Sequence, residues 1–127
     1  MPSPEAARHE SSVWLEAESA AGVTYRIARL SLKRRAALMR EMAEALAELE
    51  FQDAGQDWRS RLRAGELRLR IEAAYVRWGL LEIRGLTIDG VAADAGSLIE
   101  RGPEPLGREI ARRIRAEAGL APDELKN

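Results

Sequence analysis

Cysteine is absent from this chain, and histidine occurs once, as His9. Without cysteine there is no disulfide framework, no thiolate cage for zinc and no thiol nucleophile, and the chain suits a reducing cytoplasm. A single histidine rules out a multi-histidine metal site within one chain. Its place in a Pro-, Ser- and Ala-rich leading stretch also argues against a histidine acid/base centre. Aromatic residues make up only 5%, and no apolar run is longer than a few residues. No segment is therefore expected to span a membrane. The opening Met1-Pro2-Ser3-Pro4-Glu5 has no basic region followed by an apolar stretch, so a signal peptide is not expected. Neither a phosphate-cradling Gly-x-x-x-x-Gly-Lys-Ser/Thr nor a Gly-x-Ser-x-Gly elbow occurs. These absences point away from an enzyme and from a cofactor or metal protein, and toward a protein that acts by binding another macromolecule.

What is present has a globular balance. Apolar residues account for 46% and charged residues for 32%, with a net charge of -1, so a core can form and the overall pull on nucleic acid is weak. A length of 127 residues fits one domain. The pattern predicts a mainly α fold: a small N-terminal β-hairpin packed on a bundle of three main helices plus a short one. Residues 1–10 read as a flexible tail, and residues 11–127 as a single helical domain. Val23, Tyr25 and Ile27 alternate with Thr24, Arg26 and Ala28, the period of a half-buried strand. With the preceding Val13-Trp14-Leu15 segment and a turn at Gly22, this gives a hairpin over 12–30.

Helices are expected over about 32–51, 58–84, 94–100 and 103–118. Ser31, Asp57 and Asp94 offer N-caps, and Pro103 a first helical position. Gly85 and Gly119 fit as stops, with Leu120 folding back and Pro122 preventing continuation. Asp89-Gly90 reads as a turn. The expected core comprises Trp14, Tyr25, Ile27, Leu38, Met42, Leu46, Leu62, Leu69, Val76, Leu80, Ile83, Leu106, Ile110 and Ile114.

Four constellations could carry chemistry. Asp89 and Glu100 span the frame of a calcium loop, but Val91, Ala93 and Asp94 occupy positions that require two oxygen ligands and a glycine. Glu41, Glu44 and Glu48 share a helix face and read as solvated. Lys33, Arg34 and Arg35 crowd the first turn of their helix, where the helix dipole disfavours cations. They form either a solvated basic turn or a contact for an acidic partner. Arg108, Arg112 and Arg115, with Arg113 beside them, line the last helix as a phosphate-contact strip diluted by Glu104, Glu109 and Glu117. That strip supports an alternative reading, a nucleic-acid-associated regulatory protein.

The long helix carries two apolar seams at about 100° per residue. One holds Trp58, Leu62, Leu69, Val76, Leu80 and Ile83, and the other Leu67, Ile71, Ala74, Trp78 and Leu81. Arg63, Arg70, Arg77 and Arg84 recur every seven residues between them. A helix with two seams is either the centre of its own domain or turns one seam to a partner. Of the two, the seam with Trp78, flanked by Arg63, Arg70 and Arg77, is the expected partner-binding site, because its four-three step suits coiled-coil-like contact.

The run Gly22-Val23-Thr24-Tyr25-Arg26-Ile27, then Leu30-Ser31-Leu32 and an arginine-rich helix start, resembles the N-terminal region of tail assembly chaperones of long-tailed bacteriophages and prophages. In the second half Trp78-Gly79-Leu80-Leu81, Gly85-Leu86-Thr87-Ile88-Asp89-Gly90, Gly102-Pro103-Glu104 and Gly119-Leu120 are similar to proteins of the same kind. The resemblance covers roughly residues 12–127 and rests on turns and apolar positions. It implies a non-catalytic protein that keeps the tape-measure protein soluble and helps tail-tube subunits polymerise around it in the host cytoplasm; self-association is expected besides, through a seam that could face a second subunit. It carries no catalytic residue and no cofactor.

Overall fold

The computed structural model describes residues 6–118. The proposed stop at Gly119, the fold-back of Leu120 and the break at Pro122 lie outside the described residues. The chain runs β1 (Ser12–Glu16), β2 (Thr24–Ala28), α1 (Leu32–Ala54), α2 (Trp58–Gly79), β3 (Leu80–Arg84), β4 (Thr87–Ile88), β5 (Val91–Ala92), α3 (Ala95–Arg101) and α4 (Glu104–Ala118). Helix makes up 59% of the described residues. The fold is mainly α, with an N-terminal β1–β2 hairpin packed against the helices.

Local chemistry sets most of these boundaries. Ser31 accepts from the Arg34 N–H, and Asp57 from the Ser60 N–H. Asp94 and Ser97 form a reciprocal capping box at the start of α3. At the β4–β5 ribbon, Asp89 and Gly90 both take positive φ (51° and 80°). That pair of angles suits a two-residue loop whose twist matches the flanking strands.

The second long helix ends five residues before the expected Arg84. Leu80–Arg84 is instead a third strand, antiparallel to β2, in a sheet of order β1-β2-β3. The physical reason lies in the register. Tyr25 pairs with Ile83, Arg26 with Glu82, and Ile27 with Leu80, with an irregularity between Arg26 and Ile27. Leu81 is the extra residue of a bulge. Leu80 and Ile83 therefore both point inward although three positions apart, and a spacing of three mimics a helix.

The main apolar cluster draws on β2 (Tyr25, Ile27), α1 (Leu38, Met42), α2 (Ala74, Tyr75, Val76), β3 (Leu80, Ile83), α3 (Leu98) and α4 (Leu106, Ile110, Ile114). It reaches out as far as Leu46 on α1 and Ile71 on α2 and takes no residue from between them. The outer half of the α1–α2 hairpin is thus an arm beyond the main cluster, its two helices linked by Arg63–Glu48 and Arg68–Asp53 ion pairs, both at 2.7 Å. Three residues expected in the core are instead exposed: Trp14 (41%), Leu62 (68%) and Leu69 (48%). Trp14 lies on the outer sheet face, where the Arg84 guanidinium sits 4.3 Å from its ring centroid. Leu62 and Leu69 belong to the arm.

One buried carboxylate ties the hairpin to the last helix. Glu109 of α4, 3% exposed, accepts from the backbone N–H groups of Glu18 (3.0 Å) and Ser19 (2.7 Å) and from the Tyr25 hydroxyl (2.7 Å). Arg113 donates to the Tyr25 hydroxyl at 2.7 Å and to the Glu16 carbonyl at 2.8 Å, and pairs with Glu18. Burial pushes the Glu109 carboxyl up, but the hydrogen bonds from Tyr25, Ser19 and Glu18 outweigh it and hold the group below the usual carboxylate range. Burial first, then the hydrogen bond to Glu109 and its charge, raise the Tyr25 phenol.

Candidate partner-binding surface

The two seams of α2 have opposite fates. Leu67 is fully buried and Ala74 is 8% exposed. Ile71 and Ala74 line a shallow groove of about 240 Å³ with Glu41, Met42, Ala45, Arg70, Ala73 and Arg77, so this seam faces α1. Trp78, half-buried, has the Arg34 guanidinium of α1 at 5.6 Å from its ring centroid. The seam expected to meet a partner is therefore the packing surface between α1 and α2. Arg34 and the two Leu67-side neighbours Ile71 and Ala74 belong to the protein's own helix pair. Leu81 is on β3 and 38% exposed, outside the helix altogether, as is Arg84.

The arginine ridge is largely spent within the molecule. Arg63 bridges Glu48 (2.7 Å) and Glu66 (3.0 Å), and Arg77 meets Glu41 at 3.5 Å. Arg70 lines the groove and makes no ion pair among the described residues.

The basic first turn of α1 has a structural role that the sequence did not disclose. Arg34 donates to the Trp78 carbonyl and Arg35 to the Ala118 carbonyl, each at 3.4 Å. These carbonyls lie in the last turns of α2 and α4, where the helix leaves acceptors without partners and cations are favoured. The two side chains cap other helices at the expense of their own dipole. Lys33 is exposed. On α4, Arg108 pairs with Glu72 (3.3 Å) and Glu104 (3.8 Å), and Arg112 with Glu18 (3.6 Å). Only Arg115 of the proposed phosphate strip makes no ion pair among the described residues. Three of the strip's four arginines are thus paired with carboxylates. The Asp89–Glu100 segment folds as the β4–β5 turn and α3, with Asp89 facing Arg101 at 3.3 Å. Among the described residues no group of three or more metal-type side chains converges. No helix among them is long and apolar enough to cross a membrane.

The surface left open is the other seam. Trp58, Leu62, Leu69 and Val76 fall within about 40° of one another around the helix. Val76 is buried at the inner end (2%), whereas Leu69, Leu62 and Trp58 are 48%, 68% and 61% exposed along the arm. Exposed apolar residues scattered singly are ordinary. Three in line, continuous with the core and set on the helix face opposite α1, form an uncovered stripe. Periodicity contains this seam in full, and the expected core took Leu62 and Leu69 from it together with Val76; of these only Val76 is buried.

Comparison of the chain with family models, curated proteins and solved structures gives no significant match.

Proposed function

We propose that the chain is a non-catalytic protein-binding factor that holds an apolar helical segment of a partner against the α2 arm. The particular form we propose is a tail assembly chaperone of a long-tailed phage or prophage, acting in the host cytoplasm on the tape-measure protein and assisting the tail-tube protein. The observation that carries the reading is the half-covered apolar stripe, in which Trp58 and Leu62 lie open on an arm outside the main cluster. Tryptophan and leucine on a rigid helix suit capture of an amphipathic helix, which docks through residues at i, i+3, i+4 and i+7. The resemblance in the Gly22–Ile27 and Gly85–Gly90 turns supplies the family. Pairing of the α4 arginines with Glu72, Glu104 and Glu18 leaves little free charge for the alternative of phosphate binding, which would also weaken steeply with salt.

The test is co-expression with the tape-measure protein of the same phage genome. The tape-measure protein is expected to move from the pellet to the soluble fraction and to co-purify with the chain at high salt. A tape-measure protein that stays insoluble and unbound would overturn the reading.

A further inference from the structure

The chemistry beside the open stripe narrows what can cover it. Helix α2 carries Arg59, Arg61, Arg63, Arg68, Arg70 and Arg77 against only Glu66 and Glu72, although the whole chain has a net charge of -1. Both carboxylates are engaged, Glu66 by Arg63 at 3.0 Å and Glu72 by Arg108 at 3.3 Å. Arg68 is likewise held by Asp53. Arg59, Arg61 and Arg70 are exposed and make no ion pair among the described residues. Arg61 donates to the Gln56 carbonyl at 3.5 Å and, after the Ser60 hydrogen bond, its charge helps lower the nearby Asp57 carboxyl without an ion pair, and the Arg59 guanidinium lies 5.2 Å from the Trp58 ring centroid. Around the helix, Arg59 and Arg70 fall on one side of the Trp58–Leu62–Leu69 line and Arg61 on the other. Glu66 on the first side and Glu72 on the second stand nearer the line, but each is held by an arginine, so with Arg59, Arg70 and Arg61 beyond them both borders carry a net positive charge.

We infer that this stripe receives an amphipathic helix that carries carboxylates along both borders of its own apolar face. The inference rests on the reading of the chain as a helix-binding protein and specifies its partner. The apolar line supplies the contact area, and the arginines select among helices of equal hydrophobicity. Arginine suits this work because its planar fork meets a carboxylate through two parallel hydrogen bonds. A second copy of the chain is the wrong occupant. Two α2 faces laid together would set Arg59, Arg61 and Arg70 of one against the same residues of the other, and like charges at an interface oppose association.

The probe is a pair of labelled helical peptides about five turns long. Both have leucines at i, i+3, i+4 and i+7, with glutamates bordering the stripe in one and lysines in the other. Binding to the full chain is read by anisotropy in about 0.1 M salt and again near 1 M, where screening removes the distinction. The glutamate peptide should bind at least about tenfold tighter, with the preference collapsing at high salt. Leu62→Ser should weaken it by about tenfold or more with the melting temperature kept. The triple variant Arg59→Glu, Arg61→Glu, Arg70→Glu should reverse the preference. Equal binding of both peptides, an unchanged preference in the triple variant, or concentration-dependent self-association that buries Trp58 without peptide would each overturn the inference.

Co-expression separates this failure from failure of the functional reading. A triple variant that solubilises the tape-measure protein as well as the parent does sinks the charge rule and spares the function. A parent that fails to solubilise it removes the function, while the peptide pair still decides the charge rule.

Discussion

Replacing Glu109 by alanine should be among the most damaging single changes to this protein away from its apolar core. The carboxylate is 3% exposed and receives two backbone N–H groups and a tyrosine hydroxyl, all within 3.0 Å. A hydrogen bond to a charged group is worth about 1.5–3 kcal/mol. The loss is not the full sum, because Glu18 and Ser19 are exposed and water can reach their amides once the side chain is gone. The Tyr25 hydroxyl keeps Arg113 as a neighbour, but its own proton is left in a buried site without an acceptor. Arg113 keeps Glu18 at 2.6 Å, so no charge is stranded. The expected cost is about 3 kcal/mol, the lower end for removing one partner of a buried pair. That corresponds to a fall in melting temperature of roughly 10 °C for a chain of this size. Glu109→Gln retains an acceptor and loses the charge, and should cost about 1–2 kcal/mol.

The pH dependence gives an independent reading. The folded carboxyl lies below its ordinary value, so its contribution is complete above the ordinary carboxylate range and is lost as pH falls through the folded value. The stability gap between parent and Glu109→Gln should narrow between about pH 6 and pH 3. Urea melts across that range test both statements. A Glu109→Ala protein within about 1 kcal/mol of the parent, or a gap that widens on acidification, would refute the reasoning.

Three further outcomes are expected. Leu67→Ala should cost about 2–5 kcal/mol, because it opens a cavity where the side chain is fully buried. Leu62→Ser should shift stability by about 0.5 kcal/mol or less, and equal effects in chemical denaturation would contradict the division of the two seams. A methyl group at Gly79 would stand 2.6 Å from Ile114 Cγ2, and Ile114 is fully buried. Gly79→Ala should therefore lower stability by about 1–3 kcal/mol, and a neutral melting curve would show that α4 can shift. Gly85 has φ +83° and its β-carbon would collide with the Gly22 carbonyl oxygen, whereas Gly90 has φ +80° and open space. Gly85→Ala should thus lose clearly more than the ~1 kcal/mol expected at Gly90, as read by paired thermal melts.

The starts of α1, α2 and α3 were legible because each rests on local chemistry, whereas the end of α2, expected at Gly85, was not. Ser31, Asp57 and Asp94 start helices that any reader of side-chain capping would place, and the Val23–Ile27 alternation marks β2 directly. β3 was not legible. Its existence depends on pairing with β2, more than fifty residues earlier, and its bulge disguises the strand period as a helical one. The surface we propose for a partner was half legible. Periodicity found both seams of α2 but could not say which one α1 would cover, since that depends on where the α1–α2 hairpin outruns the rest of the protein. The basic turn at Lys33–Arg35 was misleading for a similar reason. Read against its own helix it is unfavourable, and only the approach of the ends of α2 and α4 makes it useful.

The Glu109 link also sets an order of events. The hairpin residues Glu16, Glu18, Ser19 and Tyr25 meet α4 across sequence separations of 84–97 residues. A ribosome delivers the hairpin first and α4 last, and between the two it releases α1 and α2, whose mutual contacts are local. The α1–α2 pair can therefore form while the sheet still lacks both β3 and its anchor. The part of the molecule that we assign to partner capture is also the part that needs least of the others to take shape.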